Sequence, residues 1–448
     1  MSGIVKKGTT ILTATPFAFA LKSKCRTTHC DNCFKSSENL LECSGCQYVY
    51  YCDSHCQKES WRIHRAECAG LKKILPQVLP DDARFIARVI IKLNQGGADE
   101  LGYYTETNFR KFDDLMSHYS DIRFDPERLE HAIDLREILL LGFLDETLVP
   151  EVPDMTKWVD IYGKAFINSY SIQDREMESI GTGLYLGASI IDHSCKPNAI
   201  VTFEGTMIII RTLTDLPSLD WSQVSISYVE LLDSTESRRQ KLHEMHYFWC
   251  NCERCEQEDI MVEAAACPNS SCDSPCSIKA DKCGNCNAQI SVEFKKTFEQ
   301  VVDLTANYLK YLKEGDDDLN NWSIIKMCLE KQKGVMHRFN IQHINTLNLA
   351  RAIAINLECW DYAEIYNKEL LPGYSLYHGE IYLETGLLYL ETGNIQLKLK
   401  KPKEALETLN KAKMVLTITH GDEHPLVREE LKLLLNEAIE SNNDTQSP

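Results

Sequence analysis

The feature that most constrains this chain is the spacing of its cysteines. Of 19 cysteines, 17 lie between Cys25 and Cys286, many of them in pairs only two or three residues apart. Such pairs make poor disulfides, but they let two thiolates reach one tetrahedral zinc ion at about 2.3 Å. A disulfide scaffold in an oxidising compartment is the alternative, although a chain of 448 residues has enough core to need few disulfides. We therefore expect zinc sites, reduced thiols and a location in the cytoplasm and nucleus.

Composition excludes several classes of protein. Apolar residues make up 44% and charged residues 25%, as in ordinary globular proteins. No apolar run reaches the roughly 18 residues that a membrane helix needs, and Pro16 interrupts an N-terminal stretch that only faintly resembles a secretory signal. The net charge of −18 disfavours nucleic acid, because phosphate binding needs a cationic surface. We expect several domains, no membrane partner and a monomer.

Hydrophobic periodicity divides the chain. Residues 10–14 read as a strand after Gly8, and residues 69–145 carry apolar residues at helical spacing. Short β-branched runs at 199–203, 207–210 and 224–228 predict further strands. From residue 291 the pattern is helical, and two similar helix starts lie 42 residues apart, at 361 and 403. This predicts a stack of long helical hairpins, with a plain helical bundle as the alternative.

The densest metal pattern lies between residues 30 and 68. Its eight soft ligands suffice for two closed four-ligand sites, which are structural because no position remains for water. The string is Cys30-x2-Cys33-x9-Cys43-x2-Cys46-x5-Cys52-x3-Cys56-x7-His64-x3-Cys68. A module this small needs metal to fold.

This string resembles the MYND zinc finger. The resemblance implies interleaved ligand sets, with Cys30, Cys33, Cys52 and Cys56 on one ion and Cys43, Cys46, His64 and Cys68 on the other. It also implies binding of proline-rich peptides. The aromatic residues that suit such a groove, or alternatively the finger's own small core, are Tyr48, Tyr50, Tyr51 and Trp61.

Downstream motifs extend the resemblance by their order. Gly183-Leu184-Tyr185 precedes Asp192-His193-Ser194-Cys195, then Ile226-Ser227-Tyr228, and finally Cys250-x-Cys252-x2-Cys255. Together they are similar to a SET domain split around a MYND finger, as in the SET- and MYND-domain (SMYD) protein-lysine methyltransferases. By length and layout the chain looks most similar to the SMYD3-type branch.

The resemblance implies an α+β fold in which a SET-domain β-fold carries an inserted MYND finger, followed by a Cys-rich post-SET segment and an all-α, tetratricopeptide-like C-terminal domain. The expected segments are 1–29 (residual N-terminal part of the SET domain), 30–68 (MYND finger), 69–249 (SET domain with a helical insertion), 250–290 (post-SET zinc segment) and 291–448 (helical domain).

The implied activity is S-adenosylmethionine-dependent N-methylation of lysine in histone or non-histone proteins. Tyr228 would be catalytic, and Tyr170 would line the lysine channel with it. The residues expected on the cofactor are His118, Asn168, Asp192, His193, Tyr228 and Phe248. A third zinc is expected on Cys195, Cys250, Cys252 and Cys255, tying the post-SET segment over the site.

Another cysteine cluster leaves its ligands open. Cys267, Cys272, Cys283 and Cys286 have the spacing of a possible fourth zinc site, and Cys276 is either left over or replaces one member.

Three departures from the family pattern favour a second hypothesis. The N-terminal Gly-x-Gly turn is absent, Asp192 stands where the family has Asn, and residues 218–223 replace a Gly-Glu-Glu motif. An ionised carboxylate accepts hydrogen bonds but cannot donate one as an amide does. The alternative is therefore a catalytically impaired scaffold that binds proline-rich peptides and partner proteins in transcriptional regulation. A zinc-dependent DNA-binding factor fits the acidic charge poorly.

Overall fold

The computed structural model describes residues 3–144, 147, 149–150, 153–175, 177–257, 259–312 and 318–446. The described chain forms two compact units. The first comprises Met1–His193, Val201–Ile226 and His243–Phe248, and the second comprises Ser194–Ile200, Ser227–Leu242 and Trp249–Pro448. The expected α+β architecture with a helical C-terminal part is confirmed, whereas the five segment boundaries stay a prediction. Within the described ranges, no helix combines the length and apolar character needed to cross a bilayer.

The strands are short and the helices are concentrated towards the C-terminus. The strands are β1 (Thr10–Ala14), β2 (Ala18–Leu21), β3 (Leu41–Glu42), β4 (Tyr50–Tyr51), β5 (Gly102–Tyr103), β6 (Phe109–Arg110), β7 (Ser169–Gln173), β8 (Ser179–Leu184), β9 (Asp192–His193), β10 (Ala199–Glu204), β11 (Met207–Thr212) and β12 (Ser225–Ile226). The helices are α1 (Ser54–Ile74), α2 (Asp81–Asn94), α3 (Tyr119–Ile122), α4 (Pro126–Ile138), α5 (Met155–Ile167), α6 (Thr235–His246), α7 (Glu253–Glu256), α8 (Val292–Leu312), α9 (Asp318–Gln332), α10 (Ile341–Asn356), α11 (Trp360–Tyr377), α12 (Leu383–Lys398), α13 (Pro402–Thr419) and α14 (Lys432–Gln446).

Small sheets build the first unit. One has the order β1-β11-β10, another has the order β2-β8-β7, and β9 pairs in parallel with β12. The predicted strands at 10–14, 199–203 and 207–210 are present, and the last two run one or two residues longer. The predicted strand at 224–228 is limited to Ser225–Ile226. Parallel pairing there aligns Asp192 with Ser225 and His193 with Ile226, which places the His-containing motif beside the strand that leads towards Tyr228.

The zinc finger shares its core with the rest of the first unit. A single buried cluster includes finger residues such as Cys46 and Tyr51, residues of β2, and the apolar face of α2. Ile86 and Ile90 on α2 are fully buried within it, as the spacing of four on one helix face predicts. The finger therefore shares one hydrophobic core with the β-fold and is not an independently packed domain.

Helical hairpins build most of the second unit. Helices α10 and α12 begin 42 residues apart, at Ile341 and Leu383, and α11 and α13 begin 42 residues apart, at Trp360 and Pro402. The repeated element is thus one helical hairpin. Its buried faces form clusters around residues such as Leu370 and Leu409, which confirms the predicted stack of long hairpins.

A buried carboxylate connects consecutive hairpins. Glu364 on α11 accepts hydrogen bonds from Gln396 Nε2 at 3.1 Å and from Lys401 Nζ at 2.6 Å, and it also pairs with Lys368 Nζ at 2.7 Å. Burial by itself would raise the pKa of this carboxyl, but the hydrogen bonds from Lys368, Lys401 and Gln396 lower the pKa to about 2. A folded-state pKa below the ordinary value means that the carboxylate stabilises the fold above about pH 4.5 and loses that effect as the pH falls.

We predict that Glu364→Gln lowers the free energy of unfolding by about 1–3 kcal/mol at pH 7, because two charged hydrogen bonds are lost. The difference from wild type should shrink at pH 3, which lies below the ordinary pKa of 4.5, because the carboxyl of the unfolded chain is then protonated and the folded carboxylate loses much of its stabilising effect. Urea denaturation at both pH values measures it. Glu407→Gln, at an exposed position on α13, is the matched control. An equal difference at the two pH values would contradict this role.

Candidate functional site

Two four-ligand clusters form within residues 30–68. Cys30, Cys33, Cys52 and Cys56 form one set and Cys43, Cys46, His64 and Cys68 the other, and within each set all ligand atoms lie within 4.8 Å of one another. The Sγ–Sγ separations, such as 3.4 Å for Cys33–Cys52 and 3.9 Å for Cys43–Cys68, suit a tetrahedron of 2.3 Å bonds, whose edges are about 3.8 Å. The structure therefore brings together the interleaved sets that the resemblance implied, and both suit zinc.

Local structure places these ligands. Asp53 caps the N-terminus of α1 by accepting hydrogen bonds at 2.8 Å from the backbone N–H groups of His55 and Cys56, which fixes the first turn where Cys56 points to its partners. His64 follows two turns later on the buried face of the same helix. At Gly45, a Cβ atom would lie 3.0 Å from Cys68 Sγ, so glycine leaves room for the sulfur.

A carboxylate orients the histidine ligand. His64 Nε2 lies 3.6 Å from Cys46 Sγ, whereas its Nδ1 lies 3.1 Å from Glu67 Oε1. Nε2 is therefore the metal-facing nitrogen, and Nδ1–H donates to Glu67, an arrangement that fixes the tautomer of a zinc-bound imidazole. Glu67 is fully buried.

Glu67 belongs to a buried ion cluster that the sequence reasoning missed. Arg84 donates to Asp31 at 2.6 and 2.9 Å and to Glu67 at 2.8 Å, and Arg88 donates to the same two carboxylates at 2.6 and 2.8 Å. Arg88 also donates to the backbone oxygen of Phe19 in β2 at 3.0 Å. The two arginines are four residues apart, so they project from one face of α2.

Charge balance explains how this cluster tolerates burial. Two carboxylates face two guanidinium groups, and all four side chains are at least 95% buried. Burial by itself would raise the pKa of Asp31 and of Glu67, but Arg84 and Arg88 outweigh it and lower both pKa values. The cluster thus joins Asp31, inside the first Cys-x2-Cys pair, to the residue that orients His64.

The third cysteine cluster lies in the second unit. Cys195, Cys250, Cys252 and Cys255 have ligand atoms within 4.8 Å of one another, and Cys195 Sγ lies 3.5 Å from Cys255 Sγ. Arg238 on α6 is fully buried against them. Its Nε lies 3.3 Å from Cys195 Sγ and its Nη2 lies 3.8 Å from Cys255 Sγ. A single cation thereby offsets part of the charge of four thiolates. Sequence spacing gives no signal for it.

Only part of the expected peptide groove is exposed. Tyr48 and Tyr51 are 2% and 1% exposed, and their hydroxyls bond to the backbone N–H of Leu79 and to Ser60. These two rings therefore belong to the core, in line with the alternative that we kept open. Trp61 is 45% exposed and remains available at the surface.

Apart from Tyr228, the residues expected on the cofactor lie in the first unit. Asn168, just after α5, donates from Nδ2 to the backbone oxygens of Met116 at 2.8 Å and Lys164 at 2.9 Å. This anchors the segment that leads to His118. The same segment approaches α5 closely, since a Cβ on Gly163 would lie 1.9 Å from the backbone oxygen of Ser117. The ring centroid of His118 lies 5.4 Å from that of Tyr247.

The last segment of the first unit, His243–Phe248, supplies further aromatic rings near these residues. Phe248 has its ring centroid 6.0 Å from that of His193 and 6.4 Å from that of His246. Burial lowers the pKa of His246 to about 4, and the nearby positive charge of Arg128 acts in the same direction. The imidazole of His246 is therefore neutral at pH 7. Neither Tyr247 nor His246 was singled out by sequence reasoning, although both precede Phe248 directly.

The remaining predicted residues lie in different settings. Asp192 is exposed beside His193 in β9. The Tyr170 hydroxyl donates to the backbone oxygen of Ala188 at 3.1 Å, and its ring packs edge-on against Tyr185 at 5.8 Å. Tyr228 is half-buried and lies two residues beyond β12, in the second unit.

The chain resembles known proteins over nearly its whole length. Residues 30–68 match the family model for the MYND finger. The histone-lysine N-methyltransferase ASHR1 of Arabidopsis thaliana is 29% identical, covering 97% of this chain and 91% of that protein. The histone-lysine N-methyltransferase SMYD3 of Homo sapiens is 26% identical, covering 97% and 93%, and the N-lysine methyltransferase SMYD2-A of Xenopus laevis is 25% identical, covering 94% and 92%.

Over nearly its whole length, the chain is thus similar to SET- and MYND-domain (SMYD) lysine methyltransferases. The three ligand clusters and the helical hairpins occur along the chain in the order that the motifs predicted. The buried ion cluster and Arg238 add polar anchors to two of the zinc modules.

We predict that Arg84→Met destabilises the first unit by about 3–5 kcal/mol, because it leaves two buried carboxylates facing one guanidinium. Urea denaturation of the zinc-loaded chain measures the change. The exposed Arg65 on α1 provides the control, since Arg65→Met should alter stability by less than about 0.5 kcal/mol. Equal effects of the two variants would refute the importance of the buried cluster.

We also predict that Arg238→Met weakens zinc binding at the third cluster by about 10- to 100-fold, because the thiolates lose their buried cation. Competition with a colorimetric chelator measures the zinc affinity. In the variant, one zinc ion per chain should be released at a lower chelator concentration than in wild type. Arg238→Lys should lose less zinc affinity than Arg238→Met, because lysine keeps the positive charge. If Arg238→Met released zinc no faster than wild type, the assigned role would be wrong.

Proposed function

We propose that this chain is an S-adenosylmethionine-dependent protein-lysine N-methyltransferase. The observation that carries the proposal is the pairing of aromatic rings along residues 246–248 in a chain similar to the SMYD proteins: Tyr247 pairs with His118, and Phe248 lies between His193 and a neutral His246. The related proteins named histone-lysine and N-lysine methyltransferases support the same reaction class.

The chemistry of these residues suits the cofactor. When bound, S-adenosylmethionine supplies a methyl group made electrophilic by a sulfonium cation. Aromatic faces such as Phe248 attract a cation, and the neutral His246 does not repel one. Because Asn168 uses Nδ2 on two backbone oxygens, its Oδ1 is left to accept a hydrogen bond. Asn168 would thus recognise the ammonium of the methionine moiety, and the exposed carboxylate of Asp192 would add to that attraction.

The protein has little covalent work to do in such a transfer, so positioning supplies most of the rate. Tyr228 would orient the neutral lysine amine through its hydroxyl. Tyr170, fixed by its hydrogen bond to Ala188, would form one wall of the lysine channel. A rigid wall excludes water and keeps the amine aligned.

The substrates would be proteins with an exposed lysine in a cationic segment, such as histone tails or non-histone proteins. A net charge of −18 favours the approach of such segments over long distances. Trp61 and its exposed neighbours on the finger are the surface that would take proline-rich peptides. We further propose a location in the cytoplasm and nucleus and a monomeric state. The location rests on the zinc-type cysteine spacing, which needs reduced thiols.

A second candidate is a scaffold with impaired catalysis that binds partner proteins in transcriptional regulation. The observation that favours it is Asp192, whose carboxylate cannot make the donor hydrogen bond of an amide at that position. Weak cofactor binding with intact peptide binding would distinguish it from the enzyme.

We predict that Tyr228→Phe retains the melting-temperature increase caused by S-adenosylmethionine but lowers methyl transfer at least about 100-fold, because the aligning hydroxyl is gone. Transfer is measured with radiolabelled cofactor and histone proteins as substrates. Tyr308→Phe, on α8, is the control and should match wild type.

If Tyr228→Phe kept wild-type turnover, the assigned role of the hydroxyl would be wrong. If wild type bound cofactor but methylated no protein substrate, the scaffold would be the better account.

A further inference from the structure

A fourth cluster of cysteines forms outside the regions described so far. Cys267, Cys272, Cys283 and Cys286 have ligand atoms within 4.8 Å of one another. The Sγ–Sγ separations are 3.4 Å for Cys267–Cys286 and 3.9 Å for Cys272–Cys283, close to the roughly 3.8 Å edge of a zinc–thiolate tetrahedron. Proximity alone does not show a metal site, but the backbone around the cluster has the conformation of a known ligand-bearing hairpin.

The backbone around Cys283 repeats that around Cys30. In the finger, the residue after the Cys30–Cys33 pair, Phe34, has φ +60° and donates to the oxygen of Cys30 at 3.0 Å. The residue after the Cys283–Cys286 pair, Asn287, also has φ +60° and donates to the oxygen of Cys283 at 3.1 Å. Few residues adopt this left-handed conformation without a structural reason.

The flanking hydrogen bonds repeat at the same offsets. Cys30 N–H donates to the residue five positions later at 2.9 Å, and Cys283 N–H does the same at 2.9 Å. The residue before each pair bridges, antiparallel, to the residue six positions after its first cysteine: His29 to Ser36, and Lys282 to Gln289. Two unrelated stretches of sequence thus adopt one hairpin, and its first copy carries zinc ligands of the MYND finger.

The first cysteine sulfur of each hairpin accepts the same kind of hydrogen bonds from the protein. The Sγ of Cys30 accepts backbone N–H groups from the residues two and three positions later, and so does the Sγ of Cys283. In the second hairpin, Asn285 Nδ2 also donates to Cys272 Sγ at 3.6 Å. Donors directed at sulfur stabilise the thiolate form, which is the form that binds zinc.

Cys276 has a different role from its four neighbours. Its backbone exchanges two hydrogen bonds of 2.9 Å with Ala265, and its Sγ lies 3.7 Å from the backbone oxygen of Ser274. The side chain is 2% exposed and packs with Phe298 and Met336. Because its sulfur is not one of the four ligand atoms that lie within 4.8 Å of one another, we treat it as a core residue beside the cluster.

We propose that Cys267, Cys272, Cys283 and Cys286 bind a fourth, structural zinc ion. Four thiols lose four protons on binding, so the site would carry a charge of −2 and leave no coordination position for water. This fourth site does not depend on the proposed methyl transfer.

The ion would support the start of the helical array. Ala265 pairs with both Cys276 and Met336, and Ala266 N–H donates to Val335 at 2.8 Å. Asn340, which caps α10, donates from Nδ2 to Ala264 at 3.1 Å. The segment 264–266 therefore links the cysteine module to the first residues of α10. Without metal, this link would rest on the apolar cluster that includes Phe298 and Met336.

The test is the zinc content of the full-length wild-type chain, measured by plasma mass spectrometry against amino-acid analysis. Four ions per chain are expected, and three would overturn the proposal. Cys283→Ser should bind three ions, whereas the matched controls Cys276→Ser and Cys328→Ser should bind four. Loss of one ion in Cys276→Ser with none lost in Cys283→Ser would overturn the ligand set.

Hydrogen exchange checks the proposed consequence. In Cys283→Ser, amides at 264–276 and 335–341 should exchange at least tenfold faster, while those of α13 stay unchanged. Unchanged exchange at 264–276 would refute the link to α10. If Cys283→Ser does not fold, the wild-type zinc count decides the site alone.

Discussion

The architecture of the first unit depends on one buried cluster of charges. Asp31 and Glu67, which flank the two finger zinc sites, are held by Arg84 and Arg88 at distances of 2.6 to 2.9 Å. Arg88 reaches on to the backbone of β2. A cluster like this costs a large desolvation energy and is stable only when every charge is paired. It fixes the finger to the β-fold with one geometry, so the ligand-bearing loops and the sheet fold as one body.

The same physical pattern recurs at the other modules. In each of them, a buried polar or charged group forms its hydrogen bond or ion pair with one specific neighbouring side chain. Arg238 faces the thiols of the third cluster, Glu67 orients His64, and Glu364 joins successive hairpins. Thiolates and carboxylates are expensive to bury singly, and each module offers a cation or a metal ion to match them. Zinc and arginine thus hold together a chain whose strands, at two to six residues, are too short to do so alone.

Most of the architecture could be predicted from the sequence because it depends on spacing. Cysteines two residues apart, apolar residues at helical spacing and a 42-residue hairpin repeat are visible without coordinates. Arg84, Arg88 and Arg238 were missed because an arginine on a helix reads as a surface residue until its partners, 17 to 57 positions away, are known. Tyr48 and Tyr51 could not be assigned to groove or core for the same reason. The neutrality of His246 depends on burial, which no motif encodes.

The central claim is that a zinc-supported scaffold holds a site for S-adenosylmethionine. Isothermal titration of the zinc-loaded, full-length chain with S-adenosylmethionine tests it most directly, with adenosine as the control ligand that lacks the sulfonium and the methionine moiety. We predict saturable binding of one cofactor per chain, at least tenfold tighter than that of adenosine. No detectable heat of binding, from protein with its full zinc content, would contradict the account.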